Sequence, residues 1–505
     1  MDDKYVSKKE FRMFAVGAAG QGMIYAMMSS YISDFYINVL QVPLMFVLLL
    51  MLLARVWDAI NDPLMGIIAD RRAGKGKSIK TFIVWAVIPI SILTILMFYC
   101  PDISSTGKMV YAAVVYVAWG MLYTMADVPF WSLPNVMTPN AQERGSVFSI
   151  GRTVNGVGSA IPMILLYVVN FILPKFMSSG SIKYEETKYF IMVLASVIIG
   201  GTLYTVSTRC IKERVVIPYR ERKPGEPGKL ARIFKCKPLM LVIAMGILSC
   251  GRYMIQAASL HVARYAFYIG KPLSEITLDQ FNGDQTQLEA AINSAVNGSV
   301  TGIKLILDVC ALVGMFGAML LMPVLMKKFD YKKLVITTCL IGSAATLGTT
   351  LIGWFTQNLY ACIPFMIISS FPLGVLNVIC YAMIGDCLDY MELETGFRDN
   401  ALGSACQGFV NKIGNAFATC GIVIVYILVK LPVEEMVNDT AIKAATELTT
   451  QQNFAMFSLV SIIPGVSLLL CIIPILFYSI SGEKKTKMLQ DLEKARLEKG
   501  IVIKK

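Results

Sequence analysis

Roughly twelve apolar runs, each about 20 residues long, follow one another along this chain, and runs of that length can cross a bilayer as helices. Inside lipid every backbone N–H and C=O must be satisfied within the protein, which an α-helix does within its own segment. Hydropathy places the spans near 11–34, 43–69, 79–99, 108–133, 146–173, 188–208, 238–269, 304–326, 334–355, 359–386, 400–430 and 453–481. Of the 505 residues, 56% are hydrophobic and 16% charged, where a soluble domain carries about 25% charged residues. The fold class expected is an all-α membrane protein of about twelve transmembrane helices. Met1 to Arg12 are polar and basic with no cleavage-site pattern behind them, so the first span itself is expected to direct insertion.

Charge in the connecting segments sets the orientation. Lys4, Lys8, Lys9 and Arg12 precede span one; Arg71, Arg72, Lys75 and Lys77 follow span two; Lys327, Lys328, Lys332 and Lys333 follow span eight. Alternate linkers have few basic residues, and segment 270–301 carries Glu275, Asp279, Asp284 and Glu289. By the positive-inside rule both termini are cytoplasmic in a multi-pass plasma-membrane protein. The net charge of +12 is then an orientation signal, and no nucleic-acid partner is expected. A basic linker interrupted by Pro224, Gly225, Pro227 and Gly228 divides the chain into 1–208, a six-helix half; 209–237, a cytoplasmic linker; 238–481, a second six-helix half; and a tail, 482–505. The tail, with Met488, Leu489, Leu492 and Leu497 among charges, reads either as an amphipathic helix or as a solvated extension. Two pseudo-symmetric halves of six helices around a central linker resemble the major facilitator fold. The run Gly66-Ile67-Ile68-Ala69-Asp70-Arg71 resembles that superfamily's Gly-x-x-x-Asp-Arg signature.

Ionisable residues inside lipid are costly and need a partner or a function. Span two carries Arg55, Asp58 and Asp62 along one helical stripe, with Asn61 on its edge. Arg55 can neutralise one carboxylate, which leaves the other, with the Asn61 oxygen, to bind a coupling cation; a structural salt bridge is the alternative. In span four, Thr124, Asp127 and Trp131 lie on successive turns, a carboxylate for sugar hydroxyls beside an indole for the ring face. The single histidine, His261, and the absence of metal-ligand spacing among twelve cysteines point away from zinc, disulfides and a histidine relay. No cofactor is expected, only a transported sodium ion or proton. Asp386 and Asp389, near Arg398 at the end of span ten, read as a gate or a half-to-half salt bridge, and Arg252 is a buried cation in span seven.

Three segments carry a closer resemblance: Arg55-Val56-Trp57-Asp58-Ala59-Ile60-Asn61-Asp62-Pro63; Asp127-Val128-Pro129-Phe130-Trp131; and Asp386-Cys387-Leu388-Asp389-Tyr390 followed by Arg398. Together they are similar to the motifs of the glycoside-pentoside-hexuronide:cation symporter family. The resemblance implies a cation site at Asp58, Asn61, Asp62 and Thr124, sugar contacts at Asp127, Trp131 and Arg152, and a coupling role for Lys412. It also implies a symporter, not an enzyme, that imports a sugar or glycoside with sodium or a proton. This chain departs from the pattern where Gly22, beside Gln21, stands in place of a first-helix acid of the substrate site, and Asn38 in place of another. A missing acid and the additional cation Arg252 suggest an anionic sugar such as a uronide. The competing readings are a non-sugar carrier or sensor of this fold and, more remotely, an intramembrane aspartyl protease, whose Gly-x-Gly-Asp pattern fails here at Met383.

Overall fold

The structure is a computed structural model and describes residues 4–177, 182–215, 228–281, 283–430, 445 and 448–498. Among them the chain is helical with no strand. Among the described residues nine helices are long and apolar enough to cross a membrane, and a bent pair makes a tenth. The first two expected spans are a helix Lys8–Ala26 that continues through π-helical turns Met27–Tyr31 and Phe35–Val39, and a helix Leu44–Gly74. Large apolar side chains such as Leu53, Ile60, Trp85, Ile164, Leu320 and Phe355 stand exposed on the outside, where lipid covers them.

Buried apolar side chains gather by half. One cluster runs from Phe14 to Ile211 and takes in a single residue from far along the chain, Tyr381. Two others draw on residues 233–488 and 253–460. The halves meet where Met65, Ala69 and Val128 pack on Ala401 and Ala405. Gly66 allows that approach, because a Cβ there would lie 2.8 Å from Leu402 Cα. Asp70 then accepts the backbone N–H groups of Ala401 (2.8 Å) and Leu402 (3.0 Å), so an acid of span two caps the start of span eleven, Asn400–Leu428.

Two spans depart from the hydropathy reading. Span eight is a helix Gln285–Lys328, so it starts well before residue 304 and runs about 66 Å at 1.5 Å per residue. Asp284 caps it, accepting from Thr286 N (2.9 Å) and Gln287 N (3.2 Å), a local polar signal that hydropathy does not register. Span seven is not one helix. It runs as Lys237–Leu248, a 3₁₀ turn Cys250–Tyr253, then Met254–Ala257 and Ser259–Tyr265, with a 41° bend at the break. Ser467 of span twelve satisfies the broken backbone: its Oγ accepts from Gly251 N (2.8 Å) and donates to Leu248 O (2.6 Å).

The two ends of the described chain meet on one face: Tyr5 and Val6 donate to Glu143, whose neighbour Arg144 pairs with Asp386, and Asp386 also pairs with Lys485 of the tail. The tail forms a helix, Gly482–Glu498, whose Met488 and Leu492 are buried against the second half, as the amphipathic reading of the tail requires.

Candidate functional site

Span two brings Asp58 and Asp62 to span eleven, and Lys412 seats its ammonium between them. Lys412 Nζ lies 2.8 Å from Asp62 Oδ2, 2.9 Å from Asp62 Oδ1 and 3.3 Å from Asp58 Oδ2. Thr124 of span four donates to Asp62 Oδ1 at 3.0 Å. The Asn61 side chain buries its Nδ2 without a hydrogen-bond partner. Asp58, Asp62, Thr124 and Lys412 are therefore one cluster that spans both halves, with the Lys412 ammonium as its internal cation. A recess of about 20 Å³, room for one water-sized species, opens beside Asp58 and Lys412 and is lined by Tyr25, Trp57, Tyr116 and Trp119 among others. The side chains of Arg55 and Asn38 lie outside the described residues.

One turn beyond Thr124, Asp127 accepts a hydrogen bond from Gln21 Nε2 at 2.7 Å. Gln21 is held from behind, where Asn155 Nδ2 donates to its Oε1 and also to Ala18 O at 2.9 Å. Gln21 Nε2 also contacts the Tyr123 hydroxyl. On the next turn of span four Trp131 is buried, and the Arg152 guanidinium of span five lies 3.6 Å over its ring and 4.3 Å over that of Tyr381 from span ten. Arg152 thus sits between aromatic faces contributed by the two halves, with a buried Nε that has no partner. Asp127, Trp131 and Arg152 form a cradle with a carboxylate acceptor, an indole face and a guanidinium donor.

Two residues expected at the substrate site are placed in helix contacts. Gly22 does not face the cradle: a Cβ there would lie 2.3 Å from Asn155 O and 3.0 Å from Ser159 Oγ, so the position is a helix contact that has no room for an acid side chain. The polar contribution of span one comes from its neighbour Gln21. Arg252 is fully buried in the break of span seven, where it donates to Ser249 O (3.1 Å), Ser249 Oγ and Tyr253 OH (3.0 Å). Tyr253 and Asn411 stand between it and Tyr381.

The gate residues divide into two groups. Asp386 and Asp389, each at most 1% exposed, share Arg144 Nη2 of span five at 2.9 Å apiece, which ties one half to the other. Arg398 closes on Asp389 and on Glu392 (2.9 Å), brought back by Gly396, which ends span ten in the left-handed region at φ +72°. From the tail helix, Lys485 pairs with Asp386, and Arg496 with Glu392 at 2.5 Å. Asp70 is elsewhere, capping span eleven. Arg71 is exposed and lines a cavity of about 420 Å³ together with Asp70, Lys77, Lys229, Arg232 and Arg398.

The sequence reading missed Arg144, Lys485, Arg496, Asn155 and Tyr381. Arg144 follows Glu143 near the start of its span and looks like an ordinary loop cation. Its signal was the need of Asp386 and Asp389 for a partner.

Helices in two packed halves, closed on the terminus-bearing face and holding charged clusters between them, define a membrane carrier of the major facilitator class. A family model described as MFS/sugar transport protein matches residues 13–269 and 294–482, and the chain belongs to that family, whose relatives include the glycoside-pentoside-hexuronide:cation symporters. Such proteins are carriers and not enzymes. The chain is 24% identical over 425 residues to symporter YjmB of Bacillus subtilis (strain 168), covering 82% of each. It is 23% identical over 409 residues to a glucuronide carrier protein homolog of Escherichia coli (strain K12), covering 80% of each. The solved structure of the proton:xylose symporter XylE superposes with a TM-score of 0.60 at 12% identity, covering 96% of this chain and 98% of that one, a likeness of fold.

Proposed function

We propose that this protein imports a sugar or glycoside together with a sodium ion or proton, by alternating access across the plasma membrane, with both termini cytoplasmic. The observation that carries the reading is Lys412, which bridges Asp58 and Asp62 from the opposite half one turn of span four away from the Asp127 cradle. A coupling cation drawn to the same carboxylates competes with the ammonium and loosens that link. Thr124 and Asn61 supply neutral oxygens, which hard cations prefer, and protonation of the acids would act on the same link. The substrate then occupies the cradle between the halves, and the loaded carrier rocks inward as the Arg144 ion pairs with Asp386 and Asp389 break. Each coupled charge contributes about 2.3 kcal/mol per 100 mV of membrane potential.

Within that class we favour a sugar that carries a carboxylate. Arg152, rather than Arg252, supports it: its guanidinium lies between Trp131 and Tyr381 with an unpartnered Nε, while Gln21 puts a neutral amide beside Asp127. Arginine presents paired donors that match a carboxylate. Uptake of a labelled panel of neutral glycosides and hexuronides into vesicles, with sodium and proton gradients imposed separately, tests both statements. Gradient-driven uptake competed best by uronides is expected. Preference for neutral glycosides sinks the uronide assignment, and uptake indifferent to both gradients sinks symport.

A further inference from the structure

A buried arginine with no carboxylate partner is costly, and Arg252 has none among the described residues. Its donors go to the carbonyl and hydroxyl of Ser249, in the break of span seven, and to the Tyr253 hydroxyl, while Nε stays unpartnered. What it holds follows from the donor inventory. A tyrosine hydroxyl has one proton; with Arg252 donating to its oxygen, Tyr253 must spend that proton on an acceptor. The Asn411 Oδ1 is at 3.0 Å and the Asn377 Oδ1 at 3.4 Å. Asn411 Oδ1 also accepts from Gln407 Nε2 at 3.0 Å, which leaves the Asn411 amide nitrogen turned to the Tyr381 hydroxyl at 3.4 Å. Each link therefore fixes the direction of the next, from the break in span seven to the ring on which Arg152 rests.

Asn411 is the residue before Lys412, and successive side chains of a helix point about 100° apart. Span eleven thus presents Lys412 to the ion site of the first half and, with the adjacent residue, a hydrogen-bonded amide to spans seven and ten. Where release of Lys412 from Asp58 and Asp62 is taken up by the backbone of span eleven rather than by its own flexible stem, Asn411 moves with it. Close packing ties the same helices: a Cβ on Gly414 would lie 2.6 Å from the Tyr253 ring, and one on Gly246 would lie 2.5 Å from Val410 Cγ1.

We infer that Arg252 and Tyr253 are positioning residues that pass the state of the ion site, through Asn411, to the cradle of Tyr381, Arg152 and Trp131. The inference rests on the coupling-ion reading above and adds the route within the second half. Spatial continuity alone does not establish energetic coupling, so the test must read both ends at once. Tryptophan supplies the reporters: Trp57 and Trp119 line the recess beside Asp58 and Lys412, and Trp131 forms the cradle.

The full-length protein, labelled with 5-fluorotryptophan and assigned by single Trp→Phe variants, is titrated by fluorine NMR. The titrants are sodium chloride against choline chloride at constant ionic strength, and acid in choline chloride. In the unaltered protein, Trp57 or Trp119 and Trp131 shift together. In Tyr253→Phe, which removes one oxygen and keeps the ring, the Trp57 or Trp119 shift keeps its midpoint while the Trp131 shift falls roughly fivefold or more, the lower range of allosteric coupling. Asn411→Ala gives the same loss, and the double variant loses no more than either single one. A purely structural role would broaden or move all the resonances alike. A Trp131 response retained in both variants overturns the inference, as does a Trp131 that never responds while its partners do. If no tryptophan responds to either cation in the unaltered protein, the coupling-ion reading falls and this inference with it.

Discussion

At the terminus-bearing face, every carboxylate oxygen of Asp386, Asp389 and Glu392 meets a cation, from Arg144, Arg398, Lys485 or Arg496. In the interior site, Asp58 and Asp62 share Lys412, and Asp127 has no cation within ion-pair distance among the described residues, its hydrogen-bond partners being the Gln21 amide, the Tyr123 hydroxyl and the Trp131 indole. The first cluster is saturated by its own side chains and can act as a lock. The second is bridged across the halves by Lys412, an occupant that another cation can replace. Buried acids are thus used in two ways here, and the set bridged by a single lysine from the other half is the one we assign to a travelling ion.

The contrast is broken most severely at Asp62. Asp62→Asn removes the carboxylate that holds Lys412 most closely, and cation-driven uptake in vesicles should fall to the background of empty vesicles. Next comes the lock. Arg144→Ala leaves Asp386 and Asp389 without their link to the first half, and loss of one partner from a buried pair costs about 3–5 kcal/mol. The expected outcome is a lower thermal unfolding midpoint in detergent together with lost uptake; an unchanged midpoint would show that the halves are held elsewhere.

Gln21→Ala removes a hydrogen bond to a charged acceptor, worth about 1.5–3 kcal/mol. Substrate half-saturation should rise at least tenfold while the response to the coupling cation persists. Lys485→Gln sharpens the comparison with the smallest effect. Lys485 lies in the same half as Asp386 and stays with it when Arg144 leaves, so it offers the acid an alternative partner. Without it Asp386 leans harder on Arg144, and uptake should slow by roughly twofold, as suits a partly exposed pair; faster uptake would reverse the role given to the tail helix.

The carboxylate cluster was legible in the sequence because a carboxylate in an apolar run is conspicuous: helical spacing put Asp58 and Asp62 on one stripe, and Thr124, which the family resemblance grouped with them, donates to Asp62. The spans were legible by length alone. What stayed hidden was set by tertiary contact. Gly22 looked like a lost acid by register, yet its environment is the backbone of Asn155, which no one-dimensional pattern displays. Arg252 reads in sequence only as a buried cation, and its setting, a break in span seven held by Ser467 more than two hundred residues away, is a product of the fold. Arg144, Lys485 and Arg496 carry ordinary surface charges in sequence, and only the fold sets them beside acids.

The central claim is that Asp58 and Asp62 bind the ion whose gradient drives accumulation. Vesicles containing the unaltered protein or Asp58→Cys are given the sugar that the panel selects, first under an imposed sodium or proton gradient and then with the gradient collapsed, and the final internal concentration is measured. The unaltered protein should concentrate the sugar only while the gradient lasts, and Asp58→Cys should never exceed the external concentration. Accumulation retained by Asp58→Cys would contradict the account.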